Sequence, residues 1–412
     1  MEISVEKYVD DFFRRCGLGS PMKPDFFWRT LSKNFGRTAD VFVGCVESRE
    51  RGEDVNPYPL KNQSLEFANA IASQFDAAKL KAVAVWFIKD RPDIEGKRVL
   101  ELGCDNGILL CLFAELYPDT KFIGVDICSE AIEIAKQRAV TLELGNVEFF
   151  CGAVKDHPSL NEHLYEIILS ITVFHEVLAD DSNGSILKKI ENSKTLFSIE
   201  DLDEQLSAQY PLIEELDTIK KLLSPIGRFI SADRWGFSDV LLMWVRLAEK
   251  AGLYLSLPSS RIICYKDPGV GTQNLPLTVF ACKNKIAVRA SDILSFFAYP
   301  HFVEKTELHV IKDHILAELI YSALNKIDVY YHEVTYNDGS GIAHLHIGVA
   351  NGIGFMYTAT NTKFRELALV PSALLYERIV GVNKTREHLW SIAKVTHRWG
   401  DPKLLSQLGI FL

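Results

Sequence analysis

Two acids and two glycines between residues 97 and 126 have the types and spacing of a nucleoside-binding turn. Glu101 lies in a short apolar run, Gly103 and Gly107 follow it, and Asp126 ends the next apolar run. A glycine turn lets a ligand approach the backbone, and a carboxylate about 20 residues further on can accept hydrogen bonds from ribose hydroxyls. This stretch therefore predicts a strand–turn–helix–strand unit that binds a nucleoside.

The acids of this turn limit the kind of nucleoside that it suits. A dinucleotide site uses the pattern G-x-G-x-x-G to hold a pyrophosphate, but here Asp105 lies between Gly103 and Gly107. A carboxylate at Asp105 would repel a pyrophosphate, whereas Glu101 favours an ammonium or sulfonium group. The other interpretation is a Rossmann-like core that has a tight turn and binds no ligand.

The same residues resemble the first motif of the class I S-adenosylmethionine-dependent methyltransferases, acid-x-Gly-x-Gly-x-Gly. Glu101, Gly103 and Gly107 match it, while Asp105 stands where the family usually has its middle glycine. Asp tolerates a positive φ better than most residues, so the turn can form. The resemblance implies S-adenosylmethionine as cofactor and S-adenosylhomocysteine as its product. It also implies that the cofactor contacts the turn and the ends of the neighbouring strands, at Glu101, Gly103, Cys104, Asp105, Gly107, Asp126, Ile127, Gly152, Ala153 and Ser170.

The order of apolar runs and helical patterns predicts an α/β fold. Apolar runs at 99–102, 122–125, 147–150, 166–171 and 227–232 alternate with helical patterns, and runs at 262–265 and 277–282 form an antiparallel pair. Strands that alternate with helices form a parallel sheet with helices on both faces. We therefore expect a Rossmann-like, doubly wound sheet of seven strands.

Three domains are expected along the chain. Residues 1–90 form a helical N-terminal cap, including one long helix over 64–89. Residues 91–285 form the S-adenosylmethionine-binding domain, with a polar insertion at about 179–210. Residues 286–412 form an appended α+β domain, with a helix over 304–324, strands at 328–336, 343–349 and 354–360, and helices over 372–379 and 385–396. The resemblance implies that the cap covers the donor and shapes the acceptor pocket, whereas a packing or dimerisation segment is the alternative.

His175 and Glu176 directly follow the fourth predicted strand. The resemblance implies that residues at this place lie beside the transferred methyl group. His175 titrates near neutral pH and is a candidate general base, with Glu176 as the group that orients it. The alternatives are a histidine bonded only to the backbone and an ordinary acid at a helix start.

His344 and His346 alternate along one predicted strand of the C-terminal domain. This spacing also occurs in metal sites, but no cysteine or acid cluster completes a ligand set. We therefore expect a hydrogen-bonded strand face and no metal. We identify no family resemblance in the C-terminal domain and interpret it as a recognition or homodimerisation module.

The composition of the 412 residues is that of a globular protein, with 48% hydrophobic and 24% charged residues. The net charge of −9 argues against a nucleic-acid partner, which would need a basic face. No apolar run reaches the length of a membrane span, and the first residues lack the pattern of a signal peptide. Eight cysteines without a C-x-x-C pair predict free thiols in a cytoplasmic protein.

The leading hypothesis is a biosynthetic enzyme that methylates a small molecule at oxygen, nitrogen or an acidic carbon. Two alternatives stay open. The first is a protein or peptide methyltransferase whose C-terminal domain grips the substrate. The second is a scaffold that binds S-adenosylmethionine without catalysis. The sequence does not name the acceptor.

Overall fold

The computed structural model describes most of the chain, in two compact units. The described residues are 4–90, 93–174, 210–234, 238–267, 271–282, 293, 309–311, 314–324, 326–337, 341–350, 353–361, 364–371, 375 and 393–407. One unit comprises residues 1–180, 211–235 and 247–287, and the other comprises residues 181–210, 236–246 and 288–412. Within the described part of the chain, no helix is both long and apolar enough to cross a membrane.

In the part of the chain that the structure describes, six helices precede the first strand. They are α1 (Val5–Arg15), α2 (Pro24–Phe35), α3 (Arg37–Glu50), α4 (Tyr58–Lys61), α5 (Leu65–Phe75) and α6 (Ala77–Asp90). The side chains of Ser4 and Ser64 cap α1 and α5 by accepting hydrogen bonds from backbone N–H groups. The single helix expected over 64–89 is instead divided at Asp76, which caps the end of α5 and turns its carboxylate toward two lysines.

The larger sheet has eight strands. They are β1 (Arg98–Leu102), β2 (Lys121–Asp126), β3 (Val147–Cys151), β4 (Tyr165–Ile171), β5 (Leu223–Ala232), β6 (Tyr254–Leu255), β7 (Arg261–Asp267) and β8 (Gly271–Ala281). Their order is β3-β2-β1-β4-β5-β8-β6, and β7 also pairs with β8. The first five are parallel and β8 is antiparallel to β5. The predicted doubly wound α/β fold is confirmed, with the two-residue β6 as an addition.

Helices lie between these strands along the chain. They are α7 (Ile108–Leu116), α8 (Ser129–Thr141), α9 (Tyr210–Leu222) and α10 (Ser238–Lys250). Helix α7 is buried almost all round, and its Phe113 ring stacks on Phe87 of α6 at 4.3 Å. From β1 the chain adds β2 and β3 on one side and then β4 and β5 on the other. This reversal opens a crevice at the carboxyl ends of β1 and β4, which is where ligands bind in such sheets.

The C-terminal unit contains a six-stranded antiparallel sheet. Its elements are β9 (His309–Ile311), α11 (His314–Ala323), β10 (Ile327–Tyr336), β11 (Ile342–Ala350), β12 (Ile353–Thr360), β13 (Arg365–Pro371), β14 (Ala393–Trp399) and α12 (Pro402–Gln407). The strand order is β14-β10-β11-β12-β13-β9.

Two helix predictions in the C-terminal unit need correction. The helix expected over 304–324 begins only at His314, because residues 309–311 pair with β13 as an edge strand. The last residues of the helix expected over 385–396 belong to β14, which pairs with β10. The rest of that prediction, and all of the helix expected over 372–379 except Leu375, lies outside the described residues.

Candidate cofactor site

A cavity of about 790 Å³ lies at the carboxyl ends of β1, β2 and β4. Its volume is within the range of about 300–1,000 Å³ that small-molecule sites occupy. Most of the predicted binding residues line it, namely Glu101, Gly103, Cys104, Asp105, Asp126, Ile127, Gly152 and Ala153. Gly107 and Ser170 do not. Gly107 begins α7, and Ser170 is fully buried within β4.

The turn between β1 and α7 uses three residues with positive φ. The φ angles are 66° at Gly103, 45° at Asp105 and 72° at Gly107. At Gly107 a Cβ atom would lie 2.7 Å from the Phe149 ring and 2.8 Å from the Ala135 Cβ, so only glycine fits there. The backbone of the turn therefore borders the cavity, and its positive φ angles are those that the glycine pattern predicts.

Asp126 is held rigidly at the tip of β2. Its Oδ2 accepts a hydrogen bond from the Asp105 N–H, and its Oδ1 accepts one from the Cys128 N–H, both at 2.8 Å. Burial raises the pKa of Asp126, and these two N–H groups oppose that rise. Each carboxylate oxygen keeps a free lone pair, so the group can also accept two ligand hydroxyls.

Glu101 is a buried acid at the floor of the cavity. Its side chain is 3% exposed, and its Oε2 has no hydrogen-bond partner among residues 4–174 or the other described segments. Burial, followed by the charges of Asp126 and Asp105, raises the pKa of Glu101 well above its ordinary value. An unpaired buried carboxyl is costly, and a cationic ligand would relieve that cost.

A buried ion-pair network connects the N-terminal helices to the glycine turn. The Lys61 ammonium donates to Asp76 Oδ2 at 2.9 Å and to Asp105 Oδ2 at 2.7 Å. Asn62 Nδ2 donates to Asp105 Oδ1 at 3.0 Å, and the Lys79 ammonium donates to Asp76 Oδ1 at 3.3 Å. Burial alone would lower the pKa of Lys61, but the charges of Asp105 and Asp76 outweigh it and raise that pKa.

The carboxyl end of β4 is strained. Thr172 follows β4 directly and has a φ of 58°, which is an outlier for a β-branched residue and typical of functional sites. Its Oγ1 accepts a hydrogen bond from Lys79 at 3.1 Å. Burial lowers the pKa of Lys79, Asp76 opposes that effect, and the positive charge of Arg234 adds to it.

The catalytic pair expected at His175 and Glu176 lies outside the described residues, which end here at Phe174. Most of the polar insertion at about 179–210 does too. Both assignments therefore stay predictions.

The two histidines of β11 are hydrogen-bonded to tyrosines. His346 Nδ1 lies 2.6 Å from the Tyr321 hydroxyl, and His344 Nδ1 lies 2.7 Å from the Tyr331 hydroxyl. Burial lowers the pKa of His346. No cluster of three or more metal-ligating side chains occurs within the described segments.

Sequence reasoning missed Lys61, Asn62, Asp76, Lys79 and Thr172. One signal was available, because an acid in place of the middle glycine of a buried turn needs a cation to neutralise it. The pattern alone does not say where in the chain that cation is.

The middle of the chain matches a known family. Residues 93–251 match the family model described as "Methyltransferase domain". An uncharacterized protein of Rickettsia prowazekii, RP789, is 36% identical over 126 residues, which are 30% of this chain and 22% of that protein.

Two further relatives carry functional names. The ribosomal RNA large subunit methyltransferase G of Shewanella amazonensis is 30% identical over 133 residues, 30% of this chain and 34% of that protein. The malonyl-[acyl-carrier protein] O-methyltransferase of Acetivibrio thermocellus is 28% identical over 128 residues, 30% of this chain and 43% of that protein. The chain thus spans less than half the length of each of these three relatives.

Proposed function

Because residues 93–251 match a methyltransferase domain, we propose that the whole protein is a class I S-adenosylmethionine-dependent enzyme that methylates a small molecule. The acceptor atom is oxygen, nitrogen or an acidic carbon. The observation that carries the proposal is the pair of carboxyls, the buried Glu101 and the half-buried Asp126, on either side of the glycine turn in one cavity.

These two acids suit the two ends of the cofactor. Asp126 is fixed by backbone N–H groups with lone pairs to spare, so it would accept both ribose hydroxyls. Glu101 offers an unpaired oxygen to the ammonium group of the methionine part. Ile127, Gly152 and Ala153 line the same cavity and would border the adenine ring.

The small size of the acceptor is supported by how the cavity is built. Residues of the N-terminal helices, including Tyr58, Lys61 and Lys79, line it together with the glycine turn. The net charge of −9 disfavours a nucleic-acid substrate. The relatives bear the names of both RNA and small-molecule methyltransferases, so an RNA acceptor is the outcome against which the proposal must be tested.

The chemistry needs alignment more than activation. When bound, S-adenosylmethionine supplies a methyl group that the sulfonium already activates. The residues of the chain would then hold the acceptor in line with that methyl group and exclude water. For an acceptor that arrives protonated, we assign proton removal to His175, with Glu176 orienting its ring. We place the reaction in the cytoplasm.

The first test is cofactor binding by calorimetry on the full chain. S-adenosylhomocysteine should bind, and NAD should show no comparable binding. Equal binding of both, or of neither, would contradict the proposed cofactor.

The second test uses S-adenosylmethionine that carries a labelled methyl group. The full chain is incubated separately with a deproteinised metabolite extract, with RNA and with a protein fraction. Label in the metabolite fraction supports the proposal. Label only in RNA or only in protein assigns a macromolecular acceptor instead, and donor binding without any transfer indicates a scaffold.

A further inference from the structure

The residue in place of the middle glycine is held by the N-terminal helices. We propose that Lys61 and Asn62 are positioning residues for the cofactor turn: they fix the Asp105 side chain and thereby aim the Asp105 N–H that orients Asp126. The inference rests on the proposed function, because it concerns how the chain binds S-adenosylmethionine and its product.

The geometry of Asp105 is the first step. Its φ of 45° is a conformation that few residues other than glycine adopt. Both carboxylate oxygens are occupied, Oδ2 by Lys61 and Oδ1 by Asn62. Its backbone N–H donates to Asp126 Oδ2 at 2.8 Å. The side-chain contacts therefore fix the orientation of the Asp105 peptide group, whose N–H binds Asp126, the proposed acceptor of the ribose hydroxyls.

Electrostatics is the second step. Burial is the main cause of the raised pKa of Glu101 and of Asp126, and the charge of Asp105 adds to both shifts because the three carboxyls lie around one turn. Lys61 lies between Asp105 and Asp76 and acts in the opposite direction, lowering the pKa of Asp126. Lys61 therefore offsets the charge of the acid in the turn and favours the charged form of Asp126, which accepts hydrogen bonds from ribose.

The third step is the position of Lys61 and Asn62 in the sequence. Lys61 is 8% exposed, Asn62 is 2% exposed, and both precede residues 93–251, the part that matches the methyltransferase family. A turn with glycine in place of Asp105 would have no carboxylate there and would not need a lysine to neutralise it. The N-terminal segment thus supplies part of the cofactor site, and it does so because Asp105 is not glycine.

The experiment is a double-mutant cycle on the full chain, with S-adenosylhomocysteine as the probe in calorimetry. Lys61→Met should weaken binding at least tenfold, because it removes the cation that pairs with Asp105 Oδ2 and leaves Asn62 as the remaining side-chain contact described for that carboxylate. Asp105→Gly should stay within about threefold of the native chain, since Lys61 keeps Asp76. The double variant should match Asp105→Gly, because Asp76 then keeps Lys79 and the turn no longer needs a cation.

Two controls separate positioning from general damage. Lys81→Met removes a half-exposed lysine of the same helical segment, which pairs with Asp10, and should leave affinity unchanged. Lys61→Arg keeps the charge and should recover most of the binding that Lys61→Met loses. If Lys61→Met does not fold, Lys61→Gln replaces it in the cycle.

The pH dependence of the affinity for S-adenosylhomocysteine distinguishes a positioning role of Lys61 from a merely structural one, because a structural role would not shift it. Burial raises the pKa of Asp126, the charge of Asp105 adds to that rise, and the charge of Lys61 opposes it, while Asp126 in turn raises the pKa of Glu101. Without Lys61, the affinity for S-adenosylhomocysteine should therefore fall at a higher pH on acidification than in the native chain.

An equal loss from Lys61→Met in the native chain and in the Asp105→Gly variant would overturn the inference while leaving the proposed function intact. An unshifted pH profile in the lysine variant would overturn it too. A native chain that does not bind S-adenosylhomocysteine at all would instead refute the proposed function, and the inference with it.

Discussion

Two polar clusters of this protein differ in how completely their groups are paired. At the cofactor end of the larger sheet, Glu101 Oε2, Ser170 Oγ and Asn106 Nδ2 are buried without a hydrogen-bond partner in the described parts of the chain. In the C-terminal sheet, by contrast, the hydroxyl of Tyr321 pairs with His346 and that of Tyr357 donates to Glu318.

The side chains of the C-terminal cluster are paired more completely than those at the cofactor end. The Tyr321 and Tyr357 rings stack at 3.7 Å, and Arg365 Nε donates to Glu318 at 3.2 Å. His346 Nε2 lies 2.9 Å from Asp328 Oδ1 as an ion-pair contact but makes no hydrogen bond within the described residues. Burial raises the pKa of Tyr321 to about 12, so its hydroxyl stays protonated at neutral pH.

The difference separates a binding site from a structural network. Buried polar groups are normally paired, and those left unpaired in a native fold call for an explanation such as a missing ligand. Substitutions at the cofactor end should therefore change binding more than they change the stability of the free protein. Substitutions in the C-terminal cluster should do the reverse.

Asp126→Ala should have the largest effect on binding. It removes the proposed acceptor of two ribose hydroxyls and also leaves the Asp105 and Cys128 N–H groups unpaired. Hydrogen bonds to a charged group contribute about 1.5–3 kcal/mol, so the affinity for S-adenosylhomocysteine should fall by roughly a hundredfold. Calorimetry measures this, and an unchanged dissociation constant would refute the ribose role.

Glu101→Gln should weaken binding by about tenfold and stabilise the free protein at pH 7. Since the pKa of Glu101 is raised on folding, the folded state holds its proton to a higher pH than the unfolded state does. Stability is therefore full below the unfolded pKa of about 4.3 and falls as pH rises toward the folded pKa. The amide has no such loss.

Urea unfolding of the free protein at several pH values, paired with calorimetry, tests Glu101→Gln. The stability gain should be present at pH 7 and absent near pH 4. Glu148→Gln, at an exposed position on β3, is the matched control and should change neither quantity. A Glu101→Gln variant that is less stable at pH 7 would show that the carboxyl is already paired without ligand.

The sequence predicted the β1–α7–β2 unit well because its signals are local. The glycine turn, the helical spacing of α7 and the acid at the end of β2 are all readable within residues 97–126. The fold class followed from the repetition of that pattern. Such signals do not depend on which distant segment packs against them.

The ion-pair network was out of reach because its partners are distant in the sequence. Lys61 and Asp105 are 44 residues apart, and only the folded chain brings them to 2.7 Å. The division of the predicted helix at Asp76 has the same origin, since Lys61 and Lys79 both bind its carboxylate. The edge strand at His309–Ile311 likewise depends on its pairing with β13.

Tyr357→Phe tests the polar cluster of the C-terminal sheet. It removes the hydroxyl that donates to Glu318 and leaves the ring stacked on Tyr321. Unfolding of the C-terminal unit should become easier by about 1–2 kcal/mol, while the affinity for S-adenosylhomocysteine should stay the same. Tyr58→Phe removes a hydroxyl from a residue that lines the cavity, and it is compared with Tyr357→Phe in the same two measurements. Loss of cofactor affinity in Tyr357→Phe would show that the cluster contributes to binding.

Thr172→Asn is expected to have the smallest effect and measures the strain at the end of β4. Asn adopts a positive φ more readily than a β-branched residue, and its side-chain oxygen can still accept from Lys79. The variant should therefore be more stable than the native chain by about 1 kcal/mol, the lower end of the cost of a strained residue. Denaturant unfolding measures the gain. If the gain in stability comes with slower methyl transfer and unchanged cofactor affinity, the strained backbone serves the acceptor side of the cavity. A loss of stability would instead show that the packing of the threonine methyl group outweighs the backbone strain.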